Sequence, residues 1–283
     1  METLYIKAAD DCDVPIYWTM PEQQPRVTLL LLPALGIQAR LYRQLASALA
    51  AQGCATAIME QRGHGLSKVK PGYGVRFGFD EFLYLDIPAV MEWIKQQVPT
   101  APRLLGGHSL GGHLSTIYAG MQPHQVDGVI HLACAFPYLG DYADRQRRTL
   151  RLLCALIPLF GLLPGYYPGH LIGFGDRESA RLMSQWRQWA LSGDFDYEDK
   201  HDLAAAVAAF DGPVLSVSFE RDDFSTPAAV ARALSPFTGA TVMRVELGER
   251  EQGTYLGHTG WAKQPDGAAA AIGAWLDTQF PRS

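Results

Sequence analysis

The sequence predicts an α/β fold, a mostly parallel sheet covered by helices on both faces. Three observations predict it. Apolar runs of strand character alternate with helical patterns along most of the chain, which is the rhythm of β–α–β units. The runs at 27–33, 55–59 and 126–134 are almost continuously apolar, as strands buried on both faces require. Between one predicted strand and a helix lies Gly107-His108-Ser109-Leu110-Gly111, a G-x-S-x-G turn.

Taken in order, residues 3–18 read as a β-hairpin turning at Asp10-Asp11-Cys12-Asp13. A buried strand at 27–33 is followed by a helix over 42–52, stopped by Gly53, and a second buried strand at 55–59. Residues 80–97 read as a helix in which Pro88 implies a kink or a break. Residues 103–106 lead into the turn at Ser109, and 113–119 continue as a helix. After the strand at 126–134 the alternation stops. Residues 136–210 carry helical patterns without clear strands, so they are expected to form a cap inserted over one edge of the sheet. The rhythm returns with a strand at 214–219, a helix from Pro227, a strand at 241–247 and a helix over 268–280. The expected organisation is therefore core (1–135), helical cap (136–210) and core again (211–283).

Composition narrows the function classes. The chain has 283 residues and a net charge of -5, with no dense Lys/Arg stripe, so no nucleic-acid partner is expected. Arg145, Arg147, Arg148 and Arg151 follow Asp141 and Asp144 and read as a solvated helix face. Cys12, Cys54, Cys134 and Cys154 match no zinc or C-x-x-C spacing, so no metal is expected; Cys54 and Cys134 read as buried thiols. No signal peptide is visible at Met1–Lys7 and no run of about twenty apolar residues exists, which predicts a cytoplasmic protein without stable membrane insertion. The oligomeric state is left open.

A serine hydroxyl needs a base, and that base needs an orienting carboxylate. The turn at Ser109 would lift its hydroxyl above the sheet edge where such a base can reach it. Of the eight histidines, His258 lies in a Gly-flanked loop between the last strand and the last helix. Loops at the carboxyl ends of parallel strands gather on one edge, so His258 is the expected base. His113, one helical turn beyond Ser109, is expected to pack or hydrogen-bond locally. The acid should follow the strand at 214–219. Counting forward from that strand favours Asp222, and counting back from Pro227 favours Asp223. Backbone N–H groups of Leu110, and of Ile37 in the loop after the first buried strand, are the expected oxyanion donors.

Together these residues resemble the α/β-hydrolase superfamily of serine hydrolases, along nearly the whole chain. The order Ser109, Asp222, His258 matches that superfamily. Glu60-Gln61-Arg62-Gly63-His64-Gly65-Leu66-Ser67 looks like its D-x-R-G-H-G-x-S segment, with Glu60 in place of Asp; the resemblance implies a structural role for it and none in catalysis for His64. The His-Gly pair that precedes the superfamily's oxyanion residue appears as Leu35-Gly36, and Phe219 replaces the Gly that often ends the acid-bearing strand. Gly165-Tyr166-Tyr167-Pro168-Gly169, Gly173-Phe174-Gly175, Trp186-Arg187-Gln188-Trp189 and Gly257-His258-Thr259-Gly260-Trp261 further resemble a bacterial group of predicted α/β-hydrolases with a helical cap.

Residues 151–163 are very apolar and interrupted by Pro158 and Gly161, and aromatic residues follow. An apolar cap over the serine implies a hydrophobic or aromatic substrate, with Leu35, His108, Tyr166, Tyr167, Trp186 and Trp261 as expected pocket residues. Association of 150–163 with a membrane surface is the competing reading. Asp176 and Glu178 are the acidic residues that a proline-iminopeptidase-like enzyme would use to hold a substrate amine. The expected activity is cofactor-independent hydrolysis of an ester or thioester of a small molecule. An acyltransferase with the same residues, or a non-catalytic ligand receptor, are the alternatives.

Overall fold

The computed structural model describes residues 1–282. Its eight-stranded sheet has the order β1 (Glu2–Lys7), β2 (Asp13–Thr19), β4 (Cys54–Met59), β3 (Val27–Leu32), β5 (Arg103–His108), β6 (Gly128–Leu132), β9 (Val214–Phe219) and β10 (Val242–Leu247). Only β2 runs antiparallel to its neighbours; from β4 to β10 every pairing is parallel. This is the mostly parallel sheet that the sequence predicts.

All residues of β3, β4 and β6 are buried, because helices cover both faces. Alternation along β3 divides the core in two. Leu30 and Leu32 pack with Val90, Ile94, Leu114 and Ile117 on one face. Leu29 and Leu31 pack with Tyr42, Leu45, Leu49 and Trp275 on the other. The helix Arg43–Ala50 buries Leu45, Ala46 and Leu49, a single stripe at helical spacing. Gly53 then turns the chain into β4 at φ 82°, a conformation that favours glycine.

Two prolines act differently from their sequence-based expectation. The irregularity expected at Pro88 takes the form of a π-helical turn at Phe82–Asp86 just upstream, and the backbone stays helical from that turn into Ile87–Gln97, the segment that holds Pro88. Pro158 does not interrupt its helix, which runs unbroken from Asp144 to Leu162. A helix-interior proline deprives the carbonyl four residues back of its donor. Here that carbonyl belongs to Cys154, and Arg187 Nε donates to it at 2.7 Å from the helix Ala180–Ser192.

The segment between β6 and β9 is mainly helical, but it is not free of strands. β7 (Tyr166–Pro168) and β8 (Arg177–Ser179) form a small antiparallel pair. Strands of three residues each are too short to show a two-residue alternation in the sequence. Among the described residues no helix is long and apolar enough to cross a membrane.

Candidate active site

Ser109 occupies the tip of the turn from β5 into the helix Leu110–Met121, at φ 50° and ψ −113°. A non-glycine residue at positive φ costs on the order of 1–3 kcal/mol and persists only where its surroundings enforce it. Here they do. The Ser109 N–H donates to the Leu132 carbonyl (3.1 Å), and its own carbonyl accepts from Gly112 (2.9 Å). A Cβ on Gly107 would lie 2.2 Å from the carbonyl carbon of Gly111, and one on Gly111 2.2 Å from the Leu32 carbonyl oxygen. Glycine at both positions lets strand, turn and helix pack this closely.

The loop after β9 carries the acid. Asp222 Oδ1 accepts from the N–H groups of Phe224 (2.9 Å) and Ser225 (3.2 Å). Its Oδ2 accepts from the Ser225 hydroxyl (2.6 Å) and from His258 Nδ1 (2.8 Å). The Asp222 side chain is fully buried behind the imidazole. Asp223 is exposed, and only its backbone carbonyl is engaged, by Gln146 Nε2 at 2.9 Å. Of the two aspartates left open by the sequence, the one in contact with His258 is Asp222.

Ser109 and His258 line a common cavity of about 350 Å³. The core supplies Leu35, Gly36, Ile37, Leu110 and His113; Leu150, Phe174, Gly175 and Trp186 come from the helical segment between β6 and β9. Of the expected pocket residues, Leu35 and Trp186 line it. His108, Tyr167 and Trp261 do not: all three are buried in the core. His108 Nδ1 meets the Tyr42 hydroxyl, Tyr167 packs edge-on against Phe160, and Trp261 stacks on Phe219. Tyr166 also lies outside the cavity, under the Arg177 guanidinium at 3.9 Å. The direction in which an aromatic side chain points is set by tertiary packing, which their sequence spacing does not reveal.

The expected oxyanion residue Ile37 needs correction. Its N–H donates to the Ala34 carbonyl at 3.1 Å, closing a tight turn with Gly36 at φ 74°. The Ala34 N–H is also committed, to the Tyr42 hydroxyl at 3.1 Å. Within the 34–37 turn, the N–H groups of Leu35 and Gly36 make no hydrogen bond among the described residues. The loop is pinned at its start by Gln61 Nε2 on the Pro33 carbonyl (2.8 Å) and at its end by Glu60 Oε1, which accepts from the Ala39 N–H (2.9 Å). Glu60 and Gln61 thus serve the structure, and so does Arg62, which pairs with Asp86 and Asp10.

Tyr42 was invisible as a site residue in the sequence. Its hydroxyl accepts from Ala34 N–H and therefore has its proton free for His108 Nδ1, 2.8 Å away. Burial, with the nearby charge of His258, pushes the pKa of His108 well below the ordinary histidine value, so it is a neutral acceptor. The His108 ring in turn packs 5.0 Å from that of His258 and 5.3 Å from that of Trp261. One buried contact chain thereby joins the loop after β3, the turn at Ser109 and the His258 loop.

The cavity lining contains no carboxylate among the described residues. Glu178 is fully buried elsewhere; its Oε1 meets His64 Nε2 (3.1 Å) and accepts from the Asp176 N–H (2.9 Å). Among the described residues no group of three or more His, Cys, Asp or Glu side chains is placed to hold a metal.

Residues 23–188 match the family model described as serine aminopeptidase, S33. The structure is similar to that of Est1E from Butyrivibrio proteoclasticus with bound ferulic acid (TM-score 0.67, 16% identity, 99% of this chain and 100% of that one). It is also similar to a highly thermostable carboxyl esterase from Bacillus coagulans in complex with glycerol (TM-score 0.70, 14% identity, 99% and 98% covered). A third similar structure is the monoacylglycerol lipase of Paleococcus ferrophilus (TM-score 0.62, 18% identity, 93% and 99% covered). With the family model spanning more than half of its length, the chain belongs to the serine aminopeptidase (S33) family, and so to the α/β-hydrolase superfamily of serine hydrolases.

Proposed function

We propose that this protein hydrolyses a carboxylic ester or thioester of a hydrophobic or aromatic small molecule through an acyl-enzyme on Ser109. One observation carries the reading: a serine held at positive φ shares a largely apolar cavity with a histidine whose Nδ1 is bound to a buried aspartate. In this reading Ser109 Oγ attacks the acyl carbon and passes its proton to His258 Nε2. Asp222 holds the Nδ1–H tautomer and stabilises the imidazolium. The N–H groups of Leu110 and of the Leu35–Gly36 turn bind the developing oxyanion. The tetrahedral adduct collapses and expels the alcohol or thiol, which takes the proton from His258. Water, deprotonated by the same ring, then attacks the acyl-enzyme, releasing the acid and restoring Ser109. Residues 136–210 serve as the cap that closes the acyl pocket.

The ester reading is favoured over aminopeptidase activity by the lining itself. A peptide amine needs an anionic anchor, and neither Asp176 nor Glu178 faces the cavity. The carboxyl esterase and the monoacylglycerol lipase with similar folds are consistent with this choice. A fluorophosphonate probe tests the proposal: wild type should be labelled and Ser109→Ala should not. Absence of labelling in wild type, or equal labelling of the variant, refutes it.

A further inference from the structure

His113 plays no part in the proton transfers just described, yet it lines the same cavity. It lies one turn into the helix that Ser109 caps, and both residues line the cavity. Its ring is clamped by aromatics, stacked on Phe136 (5.3 Å between centroids, 12° between planes) and flanked by Trp189 (5.7 Å). Nδ1 is engaged by Cys134 Sγ at 2.9 Å. Nε2 makes no hydrogen bond within the described residues. Unlike His108 Nε2 and His131 Nδ1, it is not sealed in the core, so it keeps contact with the cavity.

The protonation state follows from the partner. Burial raises the Cys134 thiol well above its ordinary range, so it keeps its proton. Among the described residues the one hydrogen-bond partner of that thiol is His113 Nδ1. Burial likewise lowers His113 to about 3, so the ring is neutral and carries one proton. A protonated thiol facing Nδ1 donates to it, which assigns the ring proton to Nε2. The other cavity hydroxyl nearby, that of Tyr142, is spent on the Phe136 carbonyl at 3.3 Å.

We infer that His113 is a specificity residue: its Nε2–H donates to an acceptor oxygen carried on the acyl portion of the substrate, at the end of the pocket away from the reacting carbon. This deepens the ester-hydrolase reading and rests on it. An aromatic acyl group with a para-alkoxy or para-hydroxy oxygen meets both requirements of the cavity, an apolar body and one acceptor for the Nε2–H. An alkyl group at the same place would leave the buried Nε2–H unpaired.

Binding of methyl 4-methoxybenzoate and methyl 4-ethylbenzoate to Ser109→Ala tests this without turnover. The methoxy ligand should bind about 3- to 10-fold more tightly, the worth of one net hydrogen bond. The preference should persist when His113→Gln is added, since Gln carries a donor at a similar reach, and vanish with His113→Phe, which keeps the aromatic packing. Equal affinity in Ser109→Ala, no binding of either ligand, or an undiminished preference with His113→Phe overturns the inference. Fluorophosphonate labelling of wild type separates the two readings: labelling without the preference refutes only the role of His113, and the preference without labelling refutes only the hydrolase.

Discussion

Replacing Asp222 by Asn should nearly abolish turnover while leaving the fold intact, and the hydrogen bonds around this side chain say why. Oδ1 accepts from two backbone N–H groups, those of Phe224 and Ser225. An Asn must keep its carbonyl oxygen there, which puts its amino group where Oδ2 now meets His258 Nδ1 at 2.8 Å. A donor facing Nδ1 forces the ring proton onto Nε2, the atom that receives the proton of Ser109 in the proposed reaction. A histidine trapped in the wrong tautomer lowers kcat by about 10⁴-fold, on the order of 5 kcal/mol of barrier. Asp223→Asn, at an exposed side chain without a hydrogen bond, should stay within about twofold of wild type, in line with a neutral surface change. The assay is steady-state hydrolysis of a chromogenic aryl ester, with circular dichroism confirming that both variants are folded. A kcat for Asp222→Asn within tenfold of wild type, or a slower Asp223→Asn, refutes the argument.

Other perturbations reach different parts of the molecule. Gly36→Ala places a Cβ 2.5 Å from the Gly175 backbone at a residue with φ 74°, so it should lower stability by more than about 1 kcal/mol in a thermal melt and reduce ester turnover as the donor loop shifts. Arg187→Met should cost about 1–2 kcal/mol by stranding the Cys154 carbonyl, and clearly less in a Pro158→Ala background, where the restored N–H can take that carbonyl; equal costs in a double-mutant cycle would discount the rescue. Burial depresses His131 to about 4, so between pH 6.5 and 4 the unfolded chain binds a proton that the folded one does not, and stability falls as the pH falls. His131→Gln should remove about 1.4 kcal/mol per pH unit from that slope in urea denaturation.

The sheet was legible because double burial writes itself into sequence as unbroken apolar runs: every residue of β3 and β4 is buried. Ser109, Asp222 and His258 were legible for a topological reason, since each follows a strand whose carboxyl end opens on the same edge. What stayed hidden depended on directions that only tertiary contacts fix. Which N–H of the 34–37 turn is free depends on its closing hydrogen bond, so Ile37 could not be told from Leu35. Tyr167 and Trp261 have the composition of pocket residues but turn into the core. His113 had one available signal, its spacing of one helical turn from Ser109, and that spacing fits packing as well as pocket lining.

The single hydroxyl of Tyr42 serves both the Ala34 N–H and His108 Nδ1. Neither the turn at Ser109 nor the loop after β3 can wander without breaking a buried bond that belongs to the other. Heat should therefore extinguish activity in one step rather than by gradual slackening of separate loops. A transplanted loop after β3 would succeed only if it brought a backbone donor to the same oxygen.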